Sequence, residues 1–189
     1  MNDYFLTHSG RKIYPSNISS ADICLEDIAH HLTKVQRFGG ALPLNVHYSV
    51  AEHSIRLAMY CLTYLDTDHA RVALLHDATE AYLGDVISPL KKCLQRYQEI
   101  EDKLHVTIIN KYSPLSLFTH RDYQEISDLD KRIMLDEARA LMSNYQQYKD
   151  SCDLEPLGIW INAGREEETI KQEFLRMCEI LGIRDDNSI

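Results

Sequence analysis

Ser49-Val50-Ala51-Glu52-His53-Ser54-Ile55-Arg56-Leu57-Ala58-Met59-Tyr60-Cys61 reads as the opening of an amphipathic helix. Ser49 and Glu52 make a capping box, in which hydroxyl and carboxylate satisfy orphan backbone amides reciprocally. Val50, His53, Leu57 and Cys61 then fall on one stripe at helical spacing. The helix is expected to run to about Leu65. An imidazole inside an otherwise apolar stripe is the first polar anomaly of the chain.

The same periodicity dominates on both sides. A first helix is expected after Ser20, with Cys24, Ile28, Leu32 and Val35 on one face. It should end before Phe38-Gly39-Gly40, because paired glycines are poor helix formers. Residues 1–19 look irregular, with Ser9-Gly10 and Pro15-Ser16-Asn17 as turn signals. A loop through Pro43 and His47 precedes Ser49. A third helix is expected from Thr67 or Asp68 to Gly84, a natural helix-ending residue. A fourth opens at Ser88-Pro89 and continues to about Tyr112, with Leu90, Leu94, Tyr97, Leu104 and Ile108 as its buried stripe. Pro114 should break the chain. A fifth spans roughly Asp122 to Tyr148, and Pro156 and Gly158 mark another loop. A last helix, from about Arg165 to Leu181, opens on the acidic run Glu166-Glu167-Glu168 and buries Ile170, Phe174, Cys178 and Leu181. No strand alternation is convincing. The expected fold class is all-α, with about six main helices in a single domain over residues 1–189.

Composition narrows the function. The chain has 189 residues, 44% hydrophobic and 26% charged, the balance of an ordinary globular protein with enough apolar content for a core. No run of apolar residues is long enough for a transmembrane helix. Met1-Asn2-Asp3-Tyr4-Phe5 lacks a basic region followed by an apolar stretch, so no signal peptide is expected. Cys24, Cys61, Cys93, Cys152 and Cys178 are odd in number and widely separated, which reads as reduced thiols in a cytoplasmic protein. The net charge of −9 argues against non-specific nucleic-acid binding. It leaves room for a phosphorylated small molecule, because a bound metal can supply positive charge.

Two further anomalies match His53. His76 falls on the stripe of the third helix between Val72 and Thr79, with Asp77 adjacent, and Asp130 sits between Ile126 and Ile133-Met134. Burying an unpaired carboxylate costs several kcal/mol, roughly, unless a cation or strong donors satisfy it. Two imidazoles and two carboxylates suit Zn, Mn, Fe or Co, not an oxygen-only calcium cage. Taken singly, each has a plainer reading. A lone inward histidine is more often a hydrogen-bonded core residue, a His-Asp dipeptide carries no weight, and Asp130 has Asp128, Lys131 and Arg132 around it.

The longer pattern carries more. Tyr48-Ser49-Val50-Ala51-Glu52-His53-Ser54, then Leu74-Leu75-His76-Asp77-Ala78-Thr79-Glu80-Ala81-Tyr82-Leu83-Gly84-Asp85, then Ser88-Pro89-Leu90-Lys91, then Asp130 with Glu137 seven residues on, closely resembles the HD-domain metal phosphohydrolases. Arg37-Phe38-Gly39-Gly40 upstream adds to it. The resemblance covers roughly residues 20 to 145. Within that superfamily the chain is most similar to the compact nucleotide-hydrolysing branch, which includes bacterial 5′-deoxynucleotidases and phage dATP triphosphohydrolases.

The resemblance implies roles. His53, His76, Asp77 and Asp130 correspond to the family's metal ligands for a divalent transition ion such as Co, Mn, Zn or Fe. Glu80, one turn after His76-Asp77, is a candidate to orient the attacking water or to bind a second ion. Asp85 is a candidate water-positioning or acid/base carboxylate. Lys91 and Lys92 stand in the expected first turn of the fourth helix, where lysine opposes the dipole preference unless an anion is near. Arg37 is a candidate phosphate or sugar contact through its guanidinium fork, and Phe38 could pack on a base or ribose. His30, His31 and His47 are better read as ordinary packing residues.

The implied chemistry is attack of an activated water on the α-phosphorus of a deoxynucleotide. The most specific expectation is dATP to deoxyadenosine and triphosphate, on the weak grounds of the long lead-in before Arg37 and the second lysine at position 92. The close alternative is a 5′-deoxynucleotidase acting on monophosphates. A di-iron oxidation site is disfavoured by the shortage of further histidines at helical spacing with the HD pair. A non-catalytic, metal-stapled nucleotide-binding module is the reading from another class. The resemblance also implies homo-oligomers, as dimers or assemblies of dimers, in a bacterial cytoplasm or a phage-infected cell.

Overall fold

The computed structural model describes residues 3–113 and 118–185, so Pro114 lies outside the described residues. The helical periodicity resolves into α1 (Leu25–Lys34), α2 (Val50–Tyr64), α3 (Thr67–Leu75), α4 (Glu80–Leu83), α5 (Ser88–Lys91), α6 (Gln95–Tyr112), α7 (His120–Leu141), α8 (Tyr145–Asp150) and α9 (Glu167–Ile180). Six of these have nine residues or more. The fold is all-α. The lead-in contains one antiparallel pair absent from the sequence reading, β1 (Phe5–Leu6) with β2 (Lys12–Ile13), joined through a turn at Gly10.

α2 lies at the centre and packs against α1, α3, α7 and α9. Its capping box forms: the Ser49 side chain accepts from the Glu52 amide, and the Glu52 carboxylate accepts from the Ser49 amide at 2.8 Å. Ile28, Leu32, Leu57, Leu74, Leu75, Leu104, Ile108, Ile133 and Phe174 are among the most buried side chains of the core around it. A smaller cluster of Tyr48, Leu141 and Ile161, flanked by Phe38, Leu42, Val46 and Met142, forms a second apolar centre.

Four helical boundaries depart from the sequence expectation. The first helix starts later, after a 3-10 turn at Ser20–Asp22, and stops at Lys34, because Val35 is extended and Gln36 pairs with Ser49. The glycines therefore do not end it; they continue a turn in which Phe38 (φ 59°), Gly39 (φ 58°) and Gly40 (φ 77°) are left-handed. The third helix divides at residues 76–79. The His76 ring donates through Nδ1 to the Ala73 carbonyl at 2.8 Å, and tighter bonds follow, with Ala78 donating to Leu75 and Glu80 to Asp77.

The fourth helix is also two. Leu94 (φ −115°, ψ 70°) leaves the helical region between α5 and α6. As a result Leu90 and Leu94 are exposed and only Leu104 and Ile108 of the expected stripe are buried, with Tyr97 half-buried. Lys91 ends the one-turn α5 and Lys92 is its C-cap, so neither opposes the dipole of a long helix. The fifth helix stops at Leu141, since Met142 is extended (φ −114°, ψ 138°), and α8 is separate.

Candidate metal centre

α2, the turn between α3 and α4, and α7 each present a polar side chain to one point. His53 is fully buried on α2, His76 and Asp77 occupy the α3–α4 turn, and Asp130 is on α7. His53 Nε2 lies 3.3 Å from His76 Nε2 and 3.1 Å from Asp130 Oδ1. His76 Nε2 lies 3.1 Å from Asp77 Oδ2 and 4.0 Å from Asp130 Oδ1, and Asp77 Oδ2 is 3.9 Å from His53 Nε2. Side-chain exposure rises from 0% at His53 through 14% at His76 and 20% at Asp77 to 36% at Asp130, so the cluster opens to solvent on the carboxylate side.

The tautomers follow from the partners. The Ala73 carbonyl can only accept, so His76 Nδ1 carries a proton. His53 Nδ1 donates to Glu137 Oε1 at 2.7 Å, and Glu137 is held below the usual carboxylate range: burial opposes ionisation, but His53 and Arg37 outweigh it. Each neutral ring then turns an Nε2 lone pair toward the other. Two lone pairs at this spacing call for a proton or a cation between them. Donor atoms bound at about 2.0–2.2 Å to one ion stand roughly 3–3.5 Å apart, close to the 3.1 and 3.3 Å found here. His53, His76 and Asp130 thus form a set that could hold a metal ion, with Asp77 beside it.

Without a cation, protons serve instead. Burial pushes His76 down, yet the Asp77 carboxylate overrides it and the ring is pushed up to about 9. His53 also moves up: burial and Arg37 oppose its charge, and Glu137 and Asp130 prevail. Asp77 is held well below the carboxylate range, because the cations His76, His53 and Arg37 overcome its burial.

Around this cluster the expected site residues fall into two groups. Arg37 is part of it. Its guanidinium lies 3.3 Å from Glu137, 3.7 Å from Asp77 and 3.8 Å from Asp130, and those charges keep it protonated against the pull of burial. Glu80 is buried, and its Oε2 has no hydrogen-bond partner among the described residues. Burial first, then Asp77 and Asp85, push its carboxyl up to about 9. Asp85 is half-buried and near enough to act on Glu80. Lys91 feels Glu80 and Asp77, but its ammonium is bound to Glu101 at 2.7 Å. Lys92 stands apart, and Phe38 meets the site only through Arg37, whose guanidinium lies 6.0 Å from its ring centroid. Phe38 is half-buried, edge-on to Tyr148 at 5.4 Å, in the smaller apolar cluster. Lys92 is exposed.

Other residues at the site were not singled out by the sequence. Glu137 has no assigned role there, although its spacing of two turns from Asp130 puts both on one face of α7. Glu101 and Tyr97 approach through the fold of α6 against α5, for which no local signal exists. His105, half-buried on α6, acts electrostatically on His76 and Asp77. His30 and His31, read from the sequence as packing residues, lie outside the cluster: His31 donates through Nδ1 to the Ala81 carbonyl at 2.6 Å, and His30 stacks on His8 at 3.6 Å.

The chain is 39% identical over 109 residues to "Uncharacterized protein YfdR" of Escherichia coli (strain K12), a match taking in 58% of each chain. It is 38% identical over 104 residues to "Uncharacterized protein RCAP_rcc00048" of Rhodobacter capsulatus, covering 53% of each. The match therefore spans little more than half the length of these curated relatives. Residues 29–177, which include every candidate ligand, match the family described as HD domain. This chain belongs to the HD domain family.

Proposed function

We propose that this protein is a metal-dependent phosphohydrolase that cleaves the phosphate ester of a deoxynucleotide. Membership of the HD domain family suggests metal-dependent phosphohydrolysis. The observation that carries the reading is the approach of His53 Nε2 and His76 Nε2 to 3.3 Å with both Nδ1 atoms committed elsewhere. His53, His76 and Asp130, with Asp77 beside them, would hold a divalent ion, which would supply Lewis-acid chemistry and lower the pKa of water there.

The chain's own residues do the rest. Glu137 fixes the His53 ring through Nδ1, and the Ala73 carbonyl fixes His76. Arg37, protonated and wedged against the carboxylates, offers its remaining N–H groups to phosphate oxygens. Glu80, with an unpaired buried oxygen, orients the attacking water or passes a proton to the leaving ribose oxygen, with Asp85 beside it. Substrate enters on the Asp130 side, where the cluster is most open.

Charge favours a monophosphate over dATP. Arg37 is shared among three carboxylates and Lys91 is occupied by Glu101, so little free positive charge is left beside the cluster for a triphosphate tail. The reading is tested by phosphorus NMR of the protein with Co²⁺ or Mn²⁺, given dAMP and dATP separately beside a chelated control. Orthophosphate from dAMP is expected. Triphosphate from dATP would restore the triphosphohydrolase expectation, and silence in both tubes with metal bound would overturn the nucleotide reading.

A further inference from the structure

We propose that Glu101 is a specificity-determining residue that restricts the substrate to a single phosphate by holding Lys91. The proposal rests on the phosphohydrolase reading and names the substrate feature that the site selects. The Lys91 ammonium is bound by Glu101 and, beyond it, acts electrostatically on Glu80 and Asp77. Its Nζ donates to Glu101 Oε1 at 2.7 Å. The pair is not a loose surface contact, with side-chain exposures of 28% for Lys91 and 15% for Glu101.

A second set of contacts fixes the geometry. The Tyr97 hydroxyl donates to the Gly84 carbonyl at 3.1 Å and stands 3.4 Å from the same Glu101 oxygen. Gln98 donates through Nε2 to the Lys91 carbonyl at 2.8 Å. Lys91 Nζ sits 5.8 Å from the Tyr97 ring centroid. Tyr97 and Glu101 are one turn apart on α6, and Gly84 immediately precedes Asp85. α6 thus pins both the segment carrying Asp85 and the ammonium of Lys91.

A pinned lysine beside a carboxylate is a poor host for a long anion. A monophosphate carries about two negative charges at neutral pH, which Arg37 and a divalent ion can meet. Every further phosphoryl group adds charge beyond what Arg37 and a divalent ion can meet, and Glu101 both occupies the Lys91 ammonium and repels added negative charge beside it. Removing the Glu101 charge while keeping its shape leaves Lys91 in place and frees its charge for the tail.

The test compares the wild type with Glu101→Gln, Lys91→Met and the double variant. Two readouts are taken: the ratio of kcat/KM for dATP to that for dAMP, and calorimetric binding of tripolyphosphate and of orthophosphate in chelator, where no ion can be stripped. Glu101→Gln is expected to raise the dATP:dAMP ratio and the tripolyphosphate affinity by about tenfold, the scale of one charge-assisted hydrogen bond. Orthophosphate affinity should change little, and both gains should vanish in the Lys91→Met background. An unchanged ratio and affinity in folded Glu101→Gln, or gains that persist without Lys91, would overturn the proposal. If the wild type hydrolyses neither nucleotide, the functional reading fails by itself, and the tripolyphosphate binding still decides the role of Glu101.

Discussion

Glu137 Oε1 and His53 Nδ1 are joined at 2.7 Å with neither side chain exposed to solvent. Glu137 also accepts from Arg37 at 3.3 Å through its other oxygen, so one carboxylate fixes both a candidate ligand and the nearest guanidinium. Outer partners of this kind typically change metal affinity by about 10–100-fold when lost. Glu137→Gln is expected to weaken Co²⁺ or Mn²⁺ binding by that factor, read by competition with a chelator of known affinity. Unaltered affinity would mean that the His53 ring is held by packing alone.

Metal should also stabilise the fold. Ion at about 100 times its dissociation constant adds roughly 2.7 kcal/mol, which for a chain of this size raises Tm by about 5–10 °C. His53→Ala and Asp130→Asn should lose most of that increment. An equal rise in the wild type and both variants would place the ion elsewhere.

Asp27 gives a prediction for acid. It is fully buried and accepts from the Ser9 amide and hydroxyl, both at 2.7 Å, and from the Cys24 thiol at 3.2 Å. Burial pushes its carboxyl up, but these donors prevail and its pKa lies below the usual value. A depressed folded pKa gives stability that is present above the unfolded value of about 3.9 and lost as pH falls through the folded value. Ser9→Ala should therefore cost about 1–3 kcal/mol at neutral pH, a deficit that shrinks when urea unfolding is repeated in acid. A deficit independent of pH would assign the loss to packing.

Gly39 should resist substitution. Its φ of 58° is left-handed, and an added Cβ would meet Ile87 Cγ2 at 3.1 Å. Gly39→Ala is expected to cost at least about 1–2 kcal/mol and, by shifting the turn that begins with Arg37, to lower activity more than Tm alone explains. Activity that tracks Tm would separate the turn from the site.

The sequence made α2 legible because a capping box and a stripe lie within one short window, and the structure keeps both. His53, His76 and Asp130 were also legible, since each breaks an apolar pattern, whereas Asp77 was legible only through the spaced motifs that agree in order with the resembling family. What periodicity could not report is where a helix yields to a side chain. The division at His76 comes from its own ring taking the Ala73 carbonyl, and the division at Leu94 leaves α5 and α6 in separate helices while the apolar spacing runs on. The same blindness explains Leu90 and Leu94, which belong to the pattern and face solvent. Lys91 was read as a candidate phosphate contact, but Glu101 reaches it only across the α5–α6 bend.

The stretch from Glu155 to Gly164 reads as a connector, yet its backbone is tied down at three places. The Glu155 carbonyl accepts from Arg132, the Gly158 amide donates to the buried Asp136, and the Gly164 amide donates to the His47 carbonyl. Between those ties Ile161 packs with Tyr48 and Leu141, in the cluster that also seats Phe38, the neighbour of Arg37. A segment without helix or strand thus buttresses the turn that carries the site's arginine. For anyone grafting a tag, a loop or a reporter into this protein, its least regular region is among the last places where chain length can change without disturbing the chemistry.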